Sequence, residues 1–183
     1  MPDAPLAFHD VDVTGRSRLA RGLWGVVETL LYRPSPRLAH GWRRMLLRLF
    51  GARVGARVHP YPRTRIWAPW NLILEEGSSI DNDVTVLNNT LVRLGPWSVV
   101  SQQSFVCTAS RDLGRKGRPV IGAPIHIGEG AWVAVQCFVG PGVSIGAHAV
   151  VGARSTVTRD VAPLSVVAGS PPRLLRMRKP ETL

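Results

Sequence analysis

An aliphatic residue recurs at every sixth position through most of this chain, and this period constrains the fold more than any other feature. In the last third the spacing holds without error, and a small or slim residue follows each aliphatic one four positions later. The six aliphatic positions are Ile127, Val133, Val139, Ile145, Val151 and Val157. Such a period fits neither an amphipathic helix nor an alternating strand. It is typical of a parallel β-helix built from hexapeptides, with three hexapeptides in each triangular coil.

The same period extends back to the middle of the chain. The whole grid has fifteen repeats, fourteen of them headed by an aliphatic residue. The earlier heads are Val54, Pro60, Ile66, Leu74, Ile80, Val86, Leu94, Val100 and Val106. Glycines that directly follow several heads are interpreted as corner residues, because glycine tolerates backbone angles that other residues resist. The expected fold is therefore all-β, a parallel β-helix of about five coils.

Three interruptions of the period fall at the same corner of successive coils. Two of them lengthen the spacing between heads to eight residues, and the third, after Val106, lengthens it to 21. The third predicts a long loop over residues 109–124, and a long loop in a regular solenoid usually carries function. The grid makes Ser110 the inward small residue of the ninth repeat and Arg111 the first outward residue of the loop.

Two amphipathic helices are predicted before the coils. Residues 17–33 and 38–50 each place apolar side chains on one helical face. We expect an N-terminal helical segment at 1–50, the β-helix at 51–162 and a C-terminal segment at 163–183 that packs on the coils. The helices either cap the open end of the coil stack, as terminal units of a solenoid do, or form a basic amphipathic surface that contacts a membrane.

Composition sets the expected compartment and partners. The net charge of +11 indicates anionic partners or simply an arginine-rich solvated surface, and an apolar content of 45% argues against disorder. Neither of the two cysteines, Cys107 and Cys137, lies in a C-x-x-C pair, as expected in a reducing compartment. The opening MPDAP lacks the features of a signal peptide, and no apolar run is long enough to span a membrane. We expect a cytoplasmic protein, with membrane association through the helices as an open alternative.

Several segments are similar to those of one enzyme family. They are GWRRMLLRLFGARVG at 41–55, VVSQQSFVCTAS at 99–110, PIHIGEGAWVAV at 124–135, PGVSIGAHAVVGARSTVTRDV at 141–161 and VVAGSPPRLLR at 166–176. The chain resembles the hexapeptide-repeat acyltransferases, most closely the colanic-acid and related exopolysaccharide O-acetyltransferases and the maltose and nodulation-factor acetyltransferases. The resemblance implies a left-handed β-helix, a homotrimer, and acetyl-CoA or another acyl-CoA held between the coils of adjacent subunits. The implied activity is O-acetylation of a sugar or polysaccharide precursor.

The resemblance also assigns a cofactor-binding set. Trp132 and Ala134 would line the acceptor and thiol end, and Gly152 and Ala153 would offer backbone groups to the pantetheine arm. The residues facing the phosphates would be Thr158, Arg159, Arg173 and Arg176. Arginine suits that role because its guanidinium holds phosphate through two parallel hydrogen bonds. From the residues alone, the glycine and alanine are also explained as corner residues, and the last two arginines as a solvated tail.

The residue expected to act as general base is missing. In the resembled family the loop opens with a motif like T-x-S-H-D or T-A-T-H, whose histidine takes the proton from the acceptor hydroxyl. Histidine suits that role because its pKa lies near working pH. Here TASRD, at 108–112, places Arg111 on that position. A guanidinium has five donors and no acceptor, so Arg111 cannot be the base.

Four explanations of the missing base stay open. Another group supplies it: His126, where the chain re-enters the coil, or Asp112, although a neighbouring arginine would hold that carboxylate ionised and make it a weak base. Alternatively the acceptor is an amine, and Arg111 binds substrate or the oxyanion. Catalysis could also have been lost, which leaves a ligand-binding or scaffold trimer. Finally, position 111 could carry a substitution.

The resemblance further suggests that Asn88, in the segment VLNNT, holds the acceptor sugar, whereas the residue alone also fits a structural corner asparagine.

Metal and nucleic-acid chemistry are not indicated by the sequence. Some proteins of this fold bind zinc through three histidines, two of them close in sequence, but His59, His126 and His148 are separated by 67 and 22 residues. No motif with interleaved basic and aromatic residues indicates nucleic-acid binding. The expected partners are therefore further copies of the chain and a sugar or glycan-precursor acceptor, with no metal and no nucleic acid.

Overall fold

Three parallel sheets form the walls of a β-helix in the computed structural model, which describes residues 8–11 and 15–179. The chain lays one short strand on sheet I, then on sheet II, then on sheet III, and repeats. Sheet I contains β2 (Arg53–Val54), β5 (Leu72–Leu74), β8 (Val92–Leu94), β13 (Ile125–Ile127) and β16 (Ser144–Ile145). Sheet III contains β4 (Arg65–Ile66), β7 (Thr85–Leu87), β10 (Phe105–Cys107), β15 (Phe138–Val139) and β18 (Thr156–Val157).

Sheet II is the longest of the three walls because the C-terminal segment continues it. Its members are β3 (His59–Pro60), β6 (Ser79–Ile80), β9 (Val99–Val100), β14 (Trp132–Val133), β17 (Val150–Val151), β19 (Ser165–Gly169) and β20 (Pro172–Met177). The last two form an antiparallel hairpin, with β19 parallel to β17. Five coils are complete, and β19 with the bridge between Ile145 and Val161 begins a sixth.

The hexapeptide heads fill the interior, as the period predicts. From Ile66 to Val157 every head has at most 2% of its side chain exposed. Heads of successive coils lie in register, such as Val106 between Val86 and Val139, so they form continuous apolar ladders. Burying such a ladder stabilises each coil through its neighbours, as in other solenoids. The predicted β-helix is therefore confirmed.

The predicted inward residues are wrong at the interrupted corner. Ser110 is exposed, and the inward polar residue of that repeat is the fully buried Thr108. The inserted residues carry the chain outward, and it returns with an apolar side chain two positions before the next head. These returning residues are Leu72, Val92 and Ile125, all at most 1% exposed.

The glycines that follow the heads are needed because the next coil packs closely against them. They do not adopt the left-handed backbone angle that the sequence suggested for a corner glycine. A Cβ on Gly128 would lie 2.6 Å from the amide nitrogen of Ala147, and one on Gly146 would lie 2.4 Å from the nitrogen of Pro163. The left-handed backbone conformation occurs three residues after a head, and non-glycine residues such as Gln136 (φ 61) and Arg154 (φ 60) adopt it there.

The long loop is a β-hairpin. Strands β11 (Ala109–Arg111) and β12 (Val120–Gly122) pair antiparallel, and the N-terminal strand β1 (His9–Asp10) adds to the outer side of β12. The resulting three-stranded sheet stands at the corner between sheets III and I, where the chain leaves β10 and enters β13.

The N-terminal helices cover the first coil. They are α1 (Gly15–Val27), a π-helical turn (Glu28–Tyr32) and α2 (His40–Leu49). Their buried side chains join the coil interior in one cluster: Trp24, Tyr32, Leu46 and Leu47. The indole N–H of Trp24 donates to the carbonyl oxygen of Ile66 at 2.6 Å, which ties α1 to the first coil. The helices therefore cap the coil stack.

A buried arginine ties the second helix to the coils. The Arg43 side chain is fully buried and donates to the carbonyl oxygens of Pro60, Pro36 and Arg37 and to the Ser35 hydroxyl.

Some predictions fall on termini that lie outside the described residues. The expected absence of a signal peptide concerns residues 1–5, and residues 180–183 complete the predicted C-terminal segment. Over the part of the chain that the structure describes, no helix is long and apolar enough to cross a membrane.

Candidate active site at the two edges of sheet III

The side chains at the start of the hairpin hold it together. One terminal nitrogen of Arg111 donates to the carbonyl oxygen of Arg118 across the hairpin at 3.0 Å. The Asp112 carboxylate accepts from the amide of Gly114 and from Nε of Arg115, both at 2.9 Å. Arg115 also forms an ion pair with Asp10 of β1. Arg111 and Asp112 thus lie together, as predicted, at the point where the chain leaves sheet III.

Asn88 is a structural residue, contrary to the suggested sugar contact. Its side chain is fully buried. The amide oxygen accepts from the Ala68 N–H at 3.0 Å, and the amide nitrogen donates to the carbonyl oxygens of Ala68 at 2.6 Å and Asn71 at 3.1 Å. These bonds bind together the interrupted corners of two successive coils, so the side chain points inward and does not face an acceptor.

His126 lies on a different surface from the hairpin. It pairs in register with Arg93 on one side and Ser144 on the other, so its side chain faces outward from sheet I. There it lines a cleft of about 450 Å³ with the side chains of Arg93 and Glu75. His126 and Arg111 therefore share a corner in the chain, but their side chains stand on neighbouring surfaces.

A second histidine near the hairpin was not foreseen. His9, in β1, pairs with Gly122, and Gly122 pairs with Ala109, two residues before Arg111. Adjacent strands lie about 4.8 Å apart, so the backbone of His9 is about 10 Å from that of Ala109. All five histidines of the chain lie within the described residues, and His9 is the one on this three-stranded sheet. No spacing rule connects position 9 with position 111, so the sequence carries no signal for this pairing.

The predicted cofactor residues gather along sheet II. Trp132, Val150, Val166 and Arg176 follow one another in register on its outward side. Three strand spacings, about 14 Å, therefore separate the Trp132 and Arg176 backbones. The Trp132 indole N–H donates to the Ser101 hydroxyl at 2.9 Å, which fixes a half-exposed ring at one end of this track. A flat row of slim side chains thus runs from an aromatic ring to an arginine.

Backbone groups at the corner between sheets II and III are mostly engaged. The Gly152 N–H donates to the Val167 carbonyl oxygen, and the Gly152 carbonyl oxygen accepts from the Ser155 hydroxyl. A Cβ on Gly152 would lie 2.8 Å from Cβ of Ala168, so glycine is required by packing. The Gly152 backbone is therefore not available to a pantetheine arm, whereas the neighbouring Ala153 is exposed.

Ala134 is held in the same way. It is almost fully buried, its N–H donates to the Val151 carbonyl oxygen, and its carbonyl oxygen accepts from the Ser104 hydroxyl. It can line the track but cannot hydrogen-bond a ligand through its N–H.

The remaining phosphate candidates lie at the C-terminal end of the coils. Thr158 and Arg159 line a pocket of about 280 Å³ together with Pro171 and Pro172. Arg173 follows directly in β20 and pairs with Ala168 of β19. The structure thus brings three of the four predicted phosphate residues to one end of the molecule, with Arg176 further along β20.

A groove separates α1 from the outward side of sheet III. It has a volume of about 620 Å³ and is larger than the cleft at His126 and the pocket at Thr158. Its walls include Arg18, Arg21, Arg65, Trp67 and Leu87. The Arg21 guanidinium lies over the Trp67 ring at 5.0 Å. Leu87 pairs with Cys107, two residues before the hairpin begins, so the groove leads toward the hairpin.

Most of the predicted cofactor residues are apart from the hairpin in one protomer. The cofactor track lies on sheet II, and the hairpin lies where sheet III meets sheet I. Thr158 and Arg159 are exceptions, because they follow β18 at the corner between sheets III and I, two coils beyond the hairpin. Across the described ranges 8–11 and 15–179, no group of three or more His, Cys, Asp or Glu side chains is arranged to hold a metal ion.

Comparisons with known proteins give consistent matches. A family model described as bacterial transferase hexapeptide (six repeats) matches residues 124–159. Over 156 residues the chain is 38% identical to an Escherichia coli K12 protein named for acetyl transfer in colanic acid biosynthesis, covering 85% of this chain and 86% of that one.

Solved structures extend the match to three dimensions. The hexapeptide-repeat acetyltransferase of Vibrio cholerae in complex with acetyl-CoA has a TM-score of 0.82 at 26% identity, covering 91% of each chain. A maltose O-acetyltransferase of Clostridium difficile has a TM-score of 0.83 at 22% identity, which is a likeness of fold, covering 91% of this chain and 90% of that one.

Proposed function

Because the chain belongs to the hexapeptide-repeat acetyltransferase family, we propose that it transfers the acetyl group of acetyl-CoA to a hydroxyl of a sugar in a polysaccharide precursor. The predicted family, the left-handed β-helix and an acyl-CoA co-substrate are confirmed. The sugar acceptor is supported by the relative named for colanic acid biosynthesis. That the enzyme works in the cytoplasm stays a prediction.

The observation that carries this proposal is the track on sheet II. An extended pantetheine arm fits a flat row of slim side chains between an aromatic ring and cationic groups. In our proposal the thioester lies near Trp132, the arm passes Ala153, and the phosphates meet Arg173, Arg176 and the Thr158–Arg159 pocket. Arginine binds phosphate in bidentate geometry, which favours this direction over the reverse.

The proposed reaction is direct transfer in a ternary complex. The acceptor hydroxyl oxygen attacks the thioester carbonyl carbon while its proton passes to a base. The carbon–sulfur bond then breaks, and the CoA thiolate takes up that proton, so the products are the acetyl ester and free CoA. An arginine near the carbonyl oxygen would stabilise the negative charge that develops there, which is the role we propose for Arg111.

Two histidines are candidates for the base. His126 stays a proposal, but its side chain faces the cleft on sheet I. His9 is the stronger candidate because its strand is hydrogen-bonded to the hairpin that carries Arg111. The pairing of β1 with β12 holds His9 and Arg111 on one small sheet, which keeps the proposed base and the cationic group close to each other.

The proposed acceptor site is the groove between α1 and sheet III. Trp67 offers a flat apolar ring on which a sugar can stack, and Arg18, Arg21 and Arg65 supply donors for hydroxyl or acidic groups of the acceptor. The groove leads along sheet III toward the hairpin, so a bound sugar would present a hydroxyl near the proposed base.

We propose that the active site is completed between protomers of a homotrimer. Within one protomer, sheet III separates the cofactor track from the hairpin. Its outward side carries the half-buried rings of Phe105 and Phe138, in contact at 5.8 Å, which suits burial against another copy. A neighbouring protomer can bring its hairpin to the track of the first, as closed rotational symmetry repeats the same contact three times.

The base assignment is tested by release of CoA from acetyl-CoA, measured with a thiol reagent. The acceptors are maltose, galactosides and O-deacetylated exopolysaccharide. We expect His9→Gln to lower kcat/KM by about 100-fold or more while acetyl-CoA affinity is unchanged. His126→Gln is the matched control and should stay close to the wild type. Arg111→His places a histidine at the position of the family's base and should restore part of the activity of the His9→Gln variant, because it also removes the positive charge that we propose near the carbonyl oxygen.

Other outcomes decide against parts of the proposal. A loss with His126→Gln and none with His9→Gln would assign the base to His126. If the wild type binds acetyl-CoA but releases no CoA with any of these acceptors, whereas Arg111→His does, the natural chain is a ligand-binding trimer without catalysis. That reading is the alternative favoured by the absence of a base at position 111.

A further inference from the structure

The outer side of the helical cap carries two exposed apolar stripes. On α1 and the π-helical turn, the stripe recurs at helical spacing and consists of Leu19, Leu23, Val26 and Leu30. The stripe on and before α2 has the same spacing and consists of Leu38, Trp42, Met45 and Leu49. These eight side chains, here called the cap surface, are between 42% and 88% exposed. Isolated exposed leucines need no explanation, but two aligned stripes do.

The two stripes form one surface. The Trp42 indole N–H donates to the carbonyl oxygen of Leu31 at 3.0 Å, which holds α2 beside the π-helical turn. The opposite sides of both helices, with Trp24 and Leu46, are buried in the same core cluster. Both stripes therefore lie on the outer side of a single two-helix layer, and Leu31, itself exposed, joins them.

The segment that carries the cap surface is rich in arginine, and Arg33 and Arg37, which lie between the two stripes along the chain, are exposed. Residues 15–50 contain eight arginines and one acidic residue, Glu28, so most of the chain's net charge of +11 is concentrated here. Glu28 faces inward and accepts from the Ile66 N–H at 2.9 Å. Arg44 and Arg48 donate to backbone carbonyl oxygens of the first coil. A carbonyl oxygen carries no net charge, so these hydrogen bonds do not neutralise the two arginines.

We propose that the cap surface docks the protein on an anionic phospholipid membrane. A helix with leucine and tryptophan on one face and arginine around it lies in the lipid interface, where apolar side chains enter the acyl boundary and arginines meet phosphate. A second copy of the chain is a poor occupant, because it would bring two strongly cationic surfaces together. The layer is tied to the coils by Trp24 and Arg43, so it is a preformed platform.

Docking of this kind would place the acceptor groove beside the lipid, a consequence that rests on the proposed function. The groove and the cap surface are on adjoining sides of α1, since Arg18 and Gly22 line the groove while Leu19 and Leu23 belong to the cap surface. A sugar joined through phosphate to a membrane lipid would then reach the groove from the bilayer surface. The substrate class inferred is therefore a lipid-linked glycan precursor.

The test is co-sedimentation of the full chain with vesicles, which requires neither acetyl-CoA nor an acceptor. The vesicles contain phosphatidylcholine with about one third phosphatidylglycerol, or phosphatidylcholine alone. We expect strong binding to the anionic vesicles, weaker binding to neutral ones, and a loss of binding as salt is raised. Failure of transfer activity would leave this result unaffected, so the two proposals fail separately.

Matched variants locate the contact. Leu23→Gln/Leu49→Gln should lower the partition coefficient by about tenfold or more, because two leucines no longer enter the lipid. The control Leu174→Gln/Leu175→Gln changes equally exposed leucines at the other end of the coils and should bind vesicles like the wild type. Arg33→Gln should lower binding to the anionic vesicles alone, by about fivefold. Circular dichroism and the Tm check that the Leu23/Leu49 variant is folded.

Three results would overturn the proposal. The first is an absence of binding to the anionic vesicles. The second is equal loss of binding in the Leu23/Leu49 variant and its Leu174/Leu175 control. The third is a change in oligomeric mass of the Leu23/Leu49 variant in light scattering without an effect on vesicle binding, which would make the cap surface a contact between subunits.

Discussion

At the scale of single residues, the chain separates polar groups that build the coils from those that remain available for chemistry. Asn88 was suggested as a substrate contact because an asparagine near that position fits the resembled family. The structure shows it fully buried with three hydrogen bonds to backbone groups. Arg111, by contrast, is exposed on the hairpin, with one hydrogen bond to the Arg118 carbonyl oxygen. Burial and hydrogen-bond satisfaction distinguish the two roles where residue type cannot.

Asn88→Ala should destabilise the fold by about 2–4 kcal/mol, because the Ala68 N–H and the Asn71 carbonyl oxygen lose the partner that the side chain provides, while the Ala68 carbonyl oxygen keeps only the Asn71 N–H. Asn89→Ala is the matched control, since that half-buried neighbour contributes its carbonyl oxygen to Asn71, and should change stability by less than about 0.5 kcal/mol. Urea unfolding measures both variants. A raised acceptor KM for Asn88→Ala with unchanged stability would return Asn88 to the substrate site.

Glu28 gives the stability a predicted pH dependence. Burial raises the pKa of its carboxyl group above the ordinary 4.5, so the folded state binds the proton more tightly than the unfolded state. The stability from this group is present below the unfolded pKa and is lost as pH rises through the folded one. Glu28→Gln keeps an oxygen that can accept from the Ile66 N–H but has no titrating group. The Tm of this variant minus the Tm of the wild type should therefore increase from acid to neutral pH, because the wild type loses stability as Glu28 ionises. A difference in Tm that is constant with pH would contradict this account.

At the scale of elements, the repeats could be predicted and the pairings between distant segments could not. The period of six located every wall of the β-helix because each head must be buried in register with the next coil. The same period failed at the interrupted corner, where Ser110 is exposed and Thr108 is inward, because inserted residues displace the inward position. The strand containing His9 carries no period at all, and its pairing depends on the folded hairpin.

The hairpin should be separable from the coils. Replacing residues 111–120 with a two-residue turn removes Arg111 and the ion pair of Arg115 with Asp10 that helps to hold β1, but none of the buried ladder residues. We expect the Tm to fall by no more than a few degrees and acetyl-CoA affinity to be kept, while transfer falls to background. Scanning calorimetry and CoA release measure these outcomes. Full transfer activity without the hairpin would show that the base lies elsewhere.

At the scale of the whole molecule, the account requires two protomers for one active site. In the same chain the cofactor track lies on sheet II, whereas the hairpin leaves the corner between sheets III and I. A hairpin-shortened chain keeps its track, and a Trp132→Ala/Arg176→Ala chain keeps its hairpin. Co-expressed, these two inactive variants should recover part of the wild-type activity, because mixed assemblies contain some complete sites. Recovery is measured as CoA release after tandem affinity purification of the mixed assembly, and none is expected if each protomer is complete alone.

The cofactor track is the central claim, and calorimetric titration of the chain with acetyl-CoA tests it most directly. We predict one site per protomer in the micromolar range, about −8 kcal/mol. Affinity should fall at least tenfold in Arg173→Ala/Arg176→Ala, whereas S-acetylpantetheine, which lacks the phosphates, should bind that variant and the wild type alike. No heat of binding at millimolar acetyl-CoA would contradict the account.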